Sequence, residues 1–304
     1  MDVDTRLLRY FAAVADEGNL SRAAERLYVS QPTLTKQIRQ LERLLGTPLF
    51  TRSRAGMALT EAGEALAARV PGLLAEWDGL VGETRRAAGR AARVLRVGFL
   101  ASAANEATRD IIVAFKARRP EWRVEMVQSS WGDPTAGLAG GDVDAALVRL
   151  PFPGRADLRV EELFSEPRVL AVHSAHPLAS RERVGFAELL DEPFVAAPAE
   201  TGAFRDFWLA ADRRDGRPPV VGAVTDQPDA WLSAIANGDG VALAPESAAR
   251  YYARPGITYL PLDGVEPTRV GIAWTARGGA DPVVRDFVAC CLAVRADEGG
   301  TFGR

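Results

Sequence analysis

Between Asn19 and Gly46 the chain sets a short helical period against a longer one with only a tight connection between them, and few folds accept that arrangement. Asn19 caps a helix over LSRAAERL, whose Leu20, Ala23, Ala24 and Leu27 share one face. After a turn around Tyr28 to Ser30, Ser30 caps a further helix that ends at Gly46, with Pro32 in its first turn, where helix amides lack internal partners. Leu34, Ile38, Leu41 and Leu45 form one stripe of this helix. Pro32, Lys36, Arg39 and Arg43 point the opposite way, flanked by Thr33 and Gln40, with no acid on that face before Glu42 at its edge. A first helix, marked by Leu7, Leu8, Phe11, Ala12, Val14 and Ala15 and closed by Gly18, precedes both.

A short helix, a tight turn and a basic-faced helix make a helix-turn-helix, whose second helix lies in the DNA major groove; a solvated face in an ordinary bundle produces the same wheel. The next segment, GTPLFTRSRAGMALT, separates the two readings. Its apolar runs flank the turn-rich TRSRAG, as in a β-hairpin wing that lays Arg52 and Arg54 on the sugar-phosphate backbone. Charge agrees. From Leu20 to Ala58 seven basic residues face two acidic ones, a net of +5, in a chain whose total is −3. A small basic module on an acidic body suits a protein that touches DNA with one end.

With these residues in place, the run Leu7 to Leu66, including AAERLYVSQPTLTKQI, LERLLGTPLF and LTEAG, resembles the DNA-binding domain of LysR-type transcriptional regulators without a gap. The resemblance implies that Ser30, Gln31, Pro32, Thr33, Lys36 and Arg39 lie at or near the groove, with Arg52 and Arg54 on the wing. Thr35 stands where most members carry serine, a departure that keeps the hydroxyl.

From Leu59 the positions Ala62, Leu66, Val70, Leu73, Trp77, Leu80 and Thr84 follow at steps of three or four, the spacing of a coiled-coil seam. A helix so patterned pairs with a copy of itself, and the resembled family dimerises in this way. Pro71 with Gly72 predicts a kink or break. The segment ends in the basic, small-residue RRAAGRAAR.

Beyond Val94, short β-rich runs alternate with helical stretches, which predicts a mixed α/β sheet with crossover helices. VLRVGFL, WRVEMVQ and DAALVRL read as strands, SAANEATRDIIVAFKARRP as a helix, and Asp133 with Pro134 as the start of a helix ending at Gly140 and Gly141. A second stretch of similar texture runs from RVLAVHS through PFVAAP, QPDAWLSAIANG and GVALAP. TRVGIAWTA and DPVVRDFVACCLAV follow, the latter a helix that packs back on the first part.

LRVGFL, GDVDAALV, HPLA and NGDGVALAPES, in this order, resemble the effector-binding part of the same family. The resemblance implies two α/β lobes joined by two crossovers around a cleft, like periplasmic solute-binding proteins. The expected division is a mostly α winged helix-turn-helix over 1–58, a linker helix over 59–90 and an effector domain over 91–304. Within the last, lobe I takes about 94–163 and 267–304 and lobe II about 164–266.

In such a fold a ligand sits where strand ends and helix N-termini converge, which favours anions. By position, Ser102, Ser129, Ser130, Arg149, Thr201, Asp226 and Gln227 should face it. Each hydroxyl also reads as a helix cap without a ligand. Arg149 stands where members commonly have a smaller residue, and suits either a bidentate contact with an effector carboxylate or a salt bridge between lobes. Trp131 reads as a core residue or an apolar wall.

The implied function is sequence-specific binding to double-stranded promoter DNA with an interrupted inverted repeat, as a homodimer or homotetramer. A small polar or carboxylate-bearing effector would modulate it, with RNA polymerase as a further partner. A regulator that acts without an effector is the alternative. The sequence has no GxSxG, Walker loop, GxGxxG or histidine-rich motif, so neither catalysis, a cofactor nor a bound metal is expected. Among other readings, a secreted solute-binding protein leaves the basic head without a purpose, and a general architectural DNA binder leaves the α/β part without one. Cys290 and Cys291 are adjacent, which strains a mutual disulfide, and read as reduced residues on a helix with a redox switch as the alternative. No apolar run is long enough to cross a bilayer and no leader pattern opens the chain, so a cytoplasmic location is expected.

Overall fold

The computed structural model describes residues 2–27, 29–53, 56–100, 103, 106–152 and 158–298, with the backbone alone for 52, 53, 106 and 295–298. Contacts divide the chain into two compact units, Met1–Val81 and Gly82–Arg304. No described helix is long and apolar enough to cross a membrane.

The first unit opens with α1 (Thr5–Glu17), α2 (Leu20–Arg26) and α3 (Gln31–Leu45). Its caps fall where the polar residues predict. Asn19 Oδ1 accepts from the Ser21 and Arg22 amides, the Ser30 hydroxyl accepts from the Thr33 amide, and Gly18 and Gly46 end α1 and α3 in the left-handed region. Leu34, Ile38 and Leu41 are buried against α1 and α2, and Phe11 meets Phe50 with ring centroids 5.3 Å apart. β1 (Phe50–Ser53) and β2 (Gly56–Leu59) form the antiparallel hairpin.

α4 (Glu61–Ala67) follows, and α5 (Val70–Ala92) begins after two intervening residues. The predicted interruption therefore precedes Pro71, which occupies the first turn of a new helix, where its missing N–H costs nothing. Of the seam, Leu59 belongs to β2 and Val70 is buried in the core of this unit. Leu73, Trp77 and Leu80 are 53%, 46% and 55% exposed, at helical spacing on one face.

The second unit contains β3 (Val94–Leu100), α6 (Glu106–Arg118), β4 (Arg123–Ser129), β5 (Ala145–Leu150) and β6 (Leu158–Glu166). There follow β7 (Arg168–His173), β8 (Val184–Gly185), β9 (Pro193–Ala196), α7 (Ala203–Trp208), β10 (Val220–Val224), α8 (Pro228–Asn237), β11 (Ala242–Pro245) and α9 (Ala248–Tyr251). β12 (Ile257–Asp263), β13 (Thr268–Thr275) and α10 (Pro282–Glu298) complete it.

One sheet has the order β4-β3-β5-β13-β6, with β3 parallel to β4 and β5, and β13 antiparallel to its neighbours. A second has the order β11-β7-β12-β8, beside a parallel β9–β10 pair. The chain passes from the first sheet to the second at residues 166–168 and returns at 263–268. α10 packs on α6 through Phe287 against Phe115, centroids 5.4 Å apart. Cys290 and Cys291 lie buried in α10 as free thiols, and burial pushes both above the usual thiol range.

Two expectations are corrected. Asp133 to Gly141 is a run of turns rather than a helix, because Ala136 and Gly137 both take positive φ, which no α-helix tolerates. β6, absent from the sequence reading, is the edge strand of its sheet, and Arg159, Glu161, Glu162 and Glu166 break the apolar pattern by which a buried strand is recognised. The turns at Ala136 press on β3 so closely that a Cβ at Gly98 would sit 1.9 Å from the Ala136 carbonyl oxygen. Gly98→Ala is therefore expected to destabilise the protein by about 1–3 kcal/mol in urea unfolding, since backbone rather than a movable side chain must yield. An unchanged midpoint would show that this approach is slack.

Candidate functional site

The first unit presents the exposed face of α3. Gln31, Pro32, Thr33, Lys36, Arg39, Gln40 and Arg43 are exposed and Thr35 is half-buried, on the side opposite the buried stripe. Ser30 and Thr33 engage each other, their hydroxyl oxygens 2.8 Å apart at the helix start. Charge pairing differs sharply between neighbouring helices. Arg22 pairs with Glu17, and Arg26 with Asp16 and Glu17, at 3.4–3.5 Å. Among the described residues Lys36, Arg39 and Arg43 have no carboxylate partner, so α3 presents three uncompensated cations. Glu42, the one acid near that face, instead accepts from the Leu49 amide at 2.9 Å and thereby fixes α3 to the hairpin. Arg52 and Arg54 fall in or beside that hairpin, but the Arg52 side chain and all of Arg54 lie outside the described residues.

The second unit holds a partly open cavity of about 60 Å³. Leu100, Trp131 and Arg149 line it from the first sheet and its loops, and Phe204, Trp208, Trp231 and Tyr252 are among those lining it from the second part. Trp131 and Trp231 meet edge to face at 6.0 Å, and the Trp131 amide donates to the Asp226 carbonyl at 2.9 Å, joining the two parts by backbone.

Arg149 is 2% exposed, and its placement follows from sheet register. On β13, Val270 stands opposite Arg149 of β5 and Thr268 opposite Glu166 of β6. Period-two alternation puts Arg149, Thr268 and Glu166 on one face across three strands, with Arg149 diagonal to the Thr268–Glu166 pair. The Arg149 guanidinium donates to Glu166 Oε1 at 2.7 Å and to the Thr268 hydroxyl at 3.4 Å. Glu166 also accepts from the Ser247 amide at 2.7 Å and hydroxyl at 3.1 Å. Burial pulls the guanidinium below its usual range and the Glu166 carboxylate opposes that pull. The network sits where both connections between the sheets run. Nearby, buried Arg168 donates to the Glu266 and Phe207 carbonyls and stacks 4.1 Å over the Phe207 ring, with burial lowering it to about 10.

Of the residues expected to face a ligand, Arg149 lines this cavity, and it does so already bound to a carboxylate of its own chain. Thr201 is buried with its hydroxyl donating to the Pro198 carbonyl at 2.7 Å, inside its own turn. Ser129 and Ser130 are half-buried at the end of β4, Asp226 contributes the backbone bond to Trp131, and exposed Gln227 precedes α8. None of these five is among the lining residues. Ser102 lies outside the described residues. Of the aromatic walls Trp131 was singled out from sequence, whereas Phe204, Trp208, Trp231, Tyr252 and the acid Glu166 were not. Trp231 carried a signal as the largest apolar side chain of its helix, whereas Glu166 carried none.

A helix-turn-helix with a bare cationic face, together with a two-part α/β unit enclosing a cavity, defines a DNA-binding regulator with a ligand-binding domain. The comparisons agree. Residues 5–64 match the family described as bacterial regulatory helix-turn-helix protein, lysR family, and residues 88–296 match the LysR substrate binding domain. The chain belongs to the LysR family, and it is a DNA-binding transcriptional regulator.

It is 33% identical over 276 residues to the HTH-type transcriptional regulator BudR of Raoultella terrigena, covering 90% of this chain and 94% of that one. It is 29% identical over 288 residues to the Hca operon transcriptional activator HcaR of Escherichia coli strain K12, covering 94% and 96%. Among solved structures, full-length BenM aligns over 98% of this chain and 98% of its own with a TM-score of 0.55 at 26% identity. Full-length CbnR complexed with its target DNA aligns over 96% and 100% with a TM-score of 0.52 at 26% identity.

Proposed function

We infer that this regulator reads base edges with the start of α3, grips phosphates with the hairpin, and binds an interrupted inverted repeat as a dimer or tetramer. A small organic effector in the second unit's cavity tunes that binding. The observation that carries the reading is the contrast between the paired arginines of α2 and the unpaired cations of α3, since exposed cations without internal partners are available to DNA. A solved relative in complex with its target DNA supports it.

The exposed Leu73, Trp77 and Leu80 support assembly through α5, because an apolar stripe of this kind is stable in water when covered by another helix. Mobility shift on the gene's own upstream duplex, beside light scattering, tests both parts. Wild type is expected to form a discrete complex that a scrambled duplex does not displace, and to have at least a dimeric mass. Leu73→Asp with Leu80→Asp should yield monomers and lose at least tenfold in affinity, because two half-sites are no longer held together. A monomeric wild type at micromolar concentration would refute assembly, and equal affinity for scrambled DNA would refute sequence-specific reading.

A further inference from the structure

The cavity of the second unit shows what chemistry it accepts, an inference that rests on reading that cavity as the effector site. Its volume is about 60 Å³. The walls are aromatic, formed by Trp131, Phe204, Trp208, Trp231 and Tyr252, and among the described residues lining it Arg149 alone bears a charge.

That charge is matched. The guanidinium donates to Glu166 at 2.7 Å, and Glu166 is held in turn by the amide and hydroxyl of Ser247. A carboxylate entering the cavity would bring a second anion to an already matched ion pair between apolar walls. It would either stay poorly compensated or have to detach Glu166 from three donors. A neutral molecule meets neither penalty, and its apolar body replaces water against the rings. We propose that the effector of this regulator is an uncharged, mainly apolar small molecule, not a carboxylate. This proposal departs from the sequence-based expectation of a polar or carboxylate-bearing effector.

Two probes that share one carbon skeleton test this on the full chain. Isobutanol and isobutyrate are titrated by saturation-transfer NMR against wild type and against Ala248→Met and Ala197→Leu, each of which fills the cavity from a different wall. A variant is scored if its thermal unfolding matches wild type. If neither folds, competition between the two probes replaces them, in which isobutyrate should fail to displace isobutanol. The expected result is saturable isobutanol binding at least roughly tenfold tighter than isobutyrate, lost in the filled variants. Isobutyrate binding as tightly as isobutanol, and lost on filling, would overturn the ligand class while leaving the cavity as the effector site. Binding that survives filling would overturn the cavity reading as well, and absence of isobutanol binding at millimolar concentration would overturn the proposal.

Discussion

Replacing Arg149 by methionine is expected to lower the stability of the protein by about 3–5 kcal/mol, because it leaves the buried Glu166 carboxylate without its counter-charge. The two side chains are 2% and 12% exposed, so water cannot compensate as it does for a surface pair. For a unit of this size the loss corresponds to a fall of roughly 10 °C in unfolding temperature. Methionine keeps much of the arginine's volume, which isolates the charge from packing. The companion variant Arg149→Met with Glu166→Gln should regain most of the loss, since a neutral amide needs no cation and can still accept from the Ser247 amide. Thermal unfolding of wild type, both single variants and the double variant completes the cycle. If Arg149→Met unfolds within a degree or two of wild type, or if the double variant is as weak as the single, the pair does not hold the two sheets' connections as described.

The second large effect separates the two kinds of cation in the first unit. Lys36→Ala and Arg39→Ala remove exposed groups from the start and middle of α3, and each is expected to cost about 1–3 kcal/mol on cognate DNA, roughly ten- to a hundredfold. On a scrambled duplex the cost should be smaller, because base edges contribute little there. Arg52→Ala and Arg54→Ala act at the hairpin and should weaken cognate and scrambled duplexes alike. They should also make the plot of log affinity against log salt shallower by about one unit for each phosphate no longer neutralised. A salt series on both duplexes for the four variants distinguishes the classes. Equal loss on both duplexes for the α3 variants, or an unchanged slope for the hairpin variants, would show that the two faces have been exchanged.

Much of the first unit was legible because its determinants are local. Asn19 and Ser30 cap helices through bonds to amides two or three residues away, Gly18 and Gly46 accept left-handed backbone, and the Leu34, Ile38, Leu41 stripe needs only helical period. The break before Pro71 is equally local. The same reasoning failed at Asp133–Gly141, where an Asp-Pro start and paired glycines imitate a helix. There Asp133 instead caps its own turn through the Thr135 and Gly137 amides, and close approach to Gly98 fixes positive φ at Ala136.

By itself, then, the sequence determined the helices of the first unit, the cationic face of α3, the apolar positions Leu73, Trp77 and Leu80 of α5 and, through its motifs, the family. The tertiary structure alone decided what Arg149 does. Its residue type allowed a ligand carboxylate or an internal one, and the choice depended on β13 lying between β5 and β6, so that residues 149, 166 and 268 share one face. It also decided the character of the cavity, since Trp131, Phe204, Trp208, Trp231 and Tyr252 come from loops and helices far apart in the chain. Period and capping are set within a few residues of chain. Register between strands and the meeting of distant side chains are set by how the whole sheet closes, which no local pattern records.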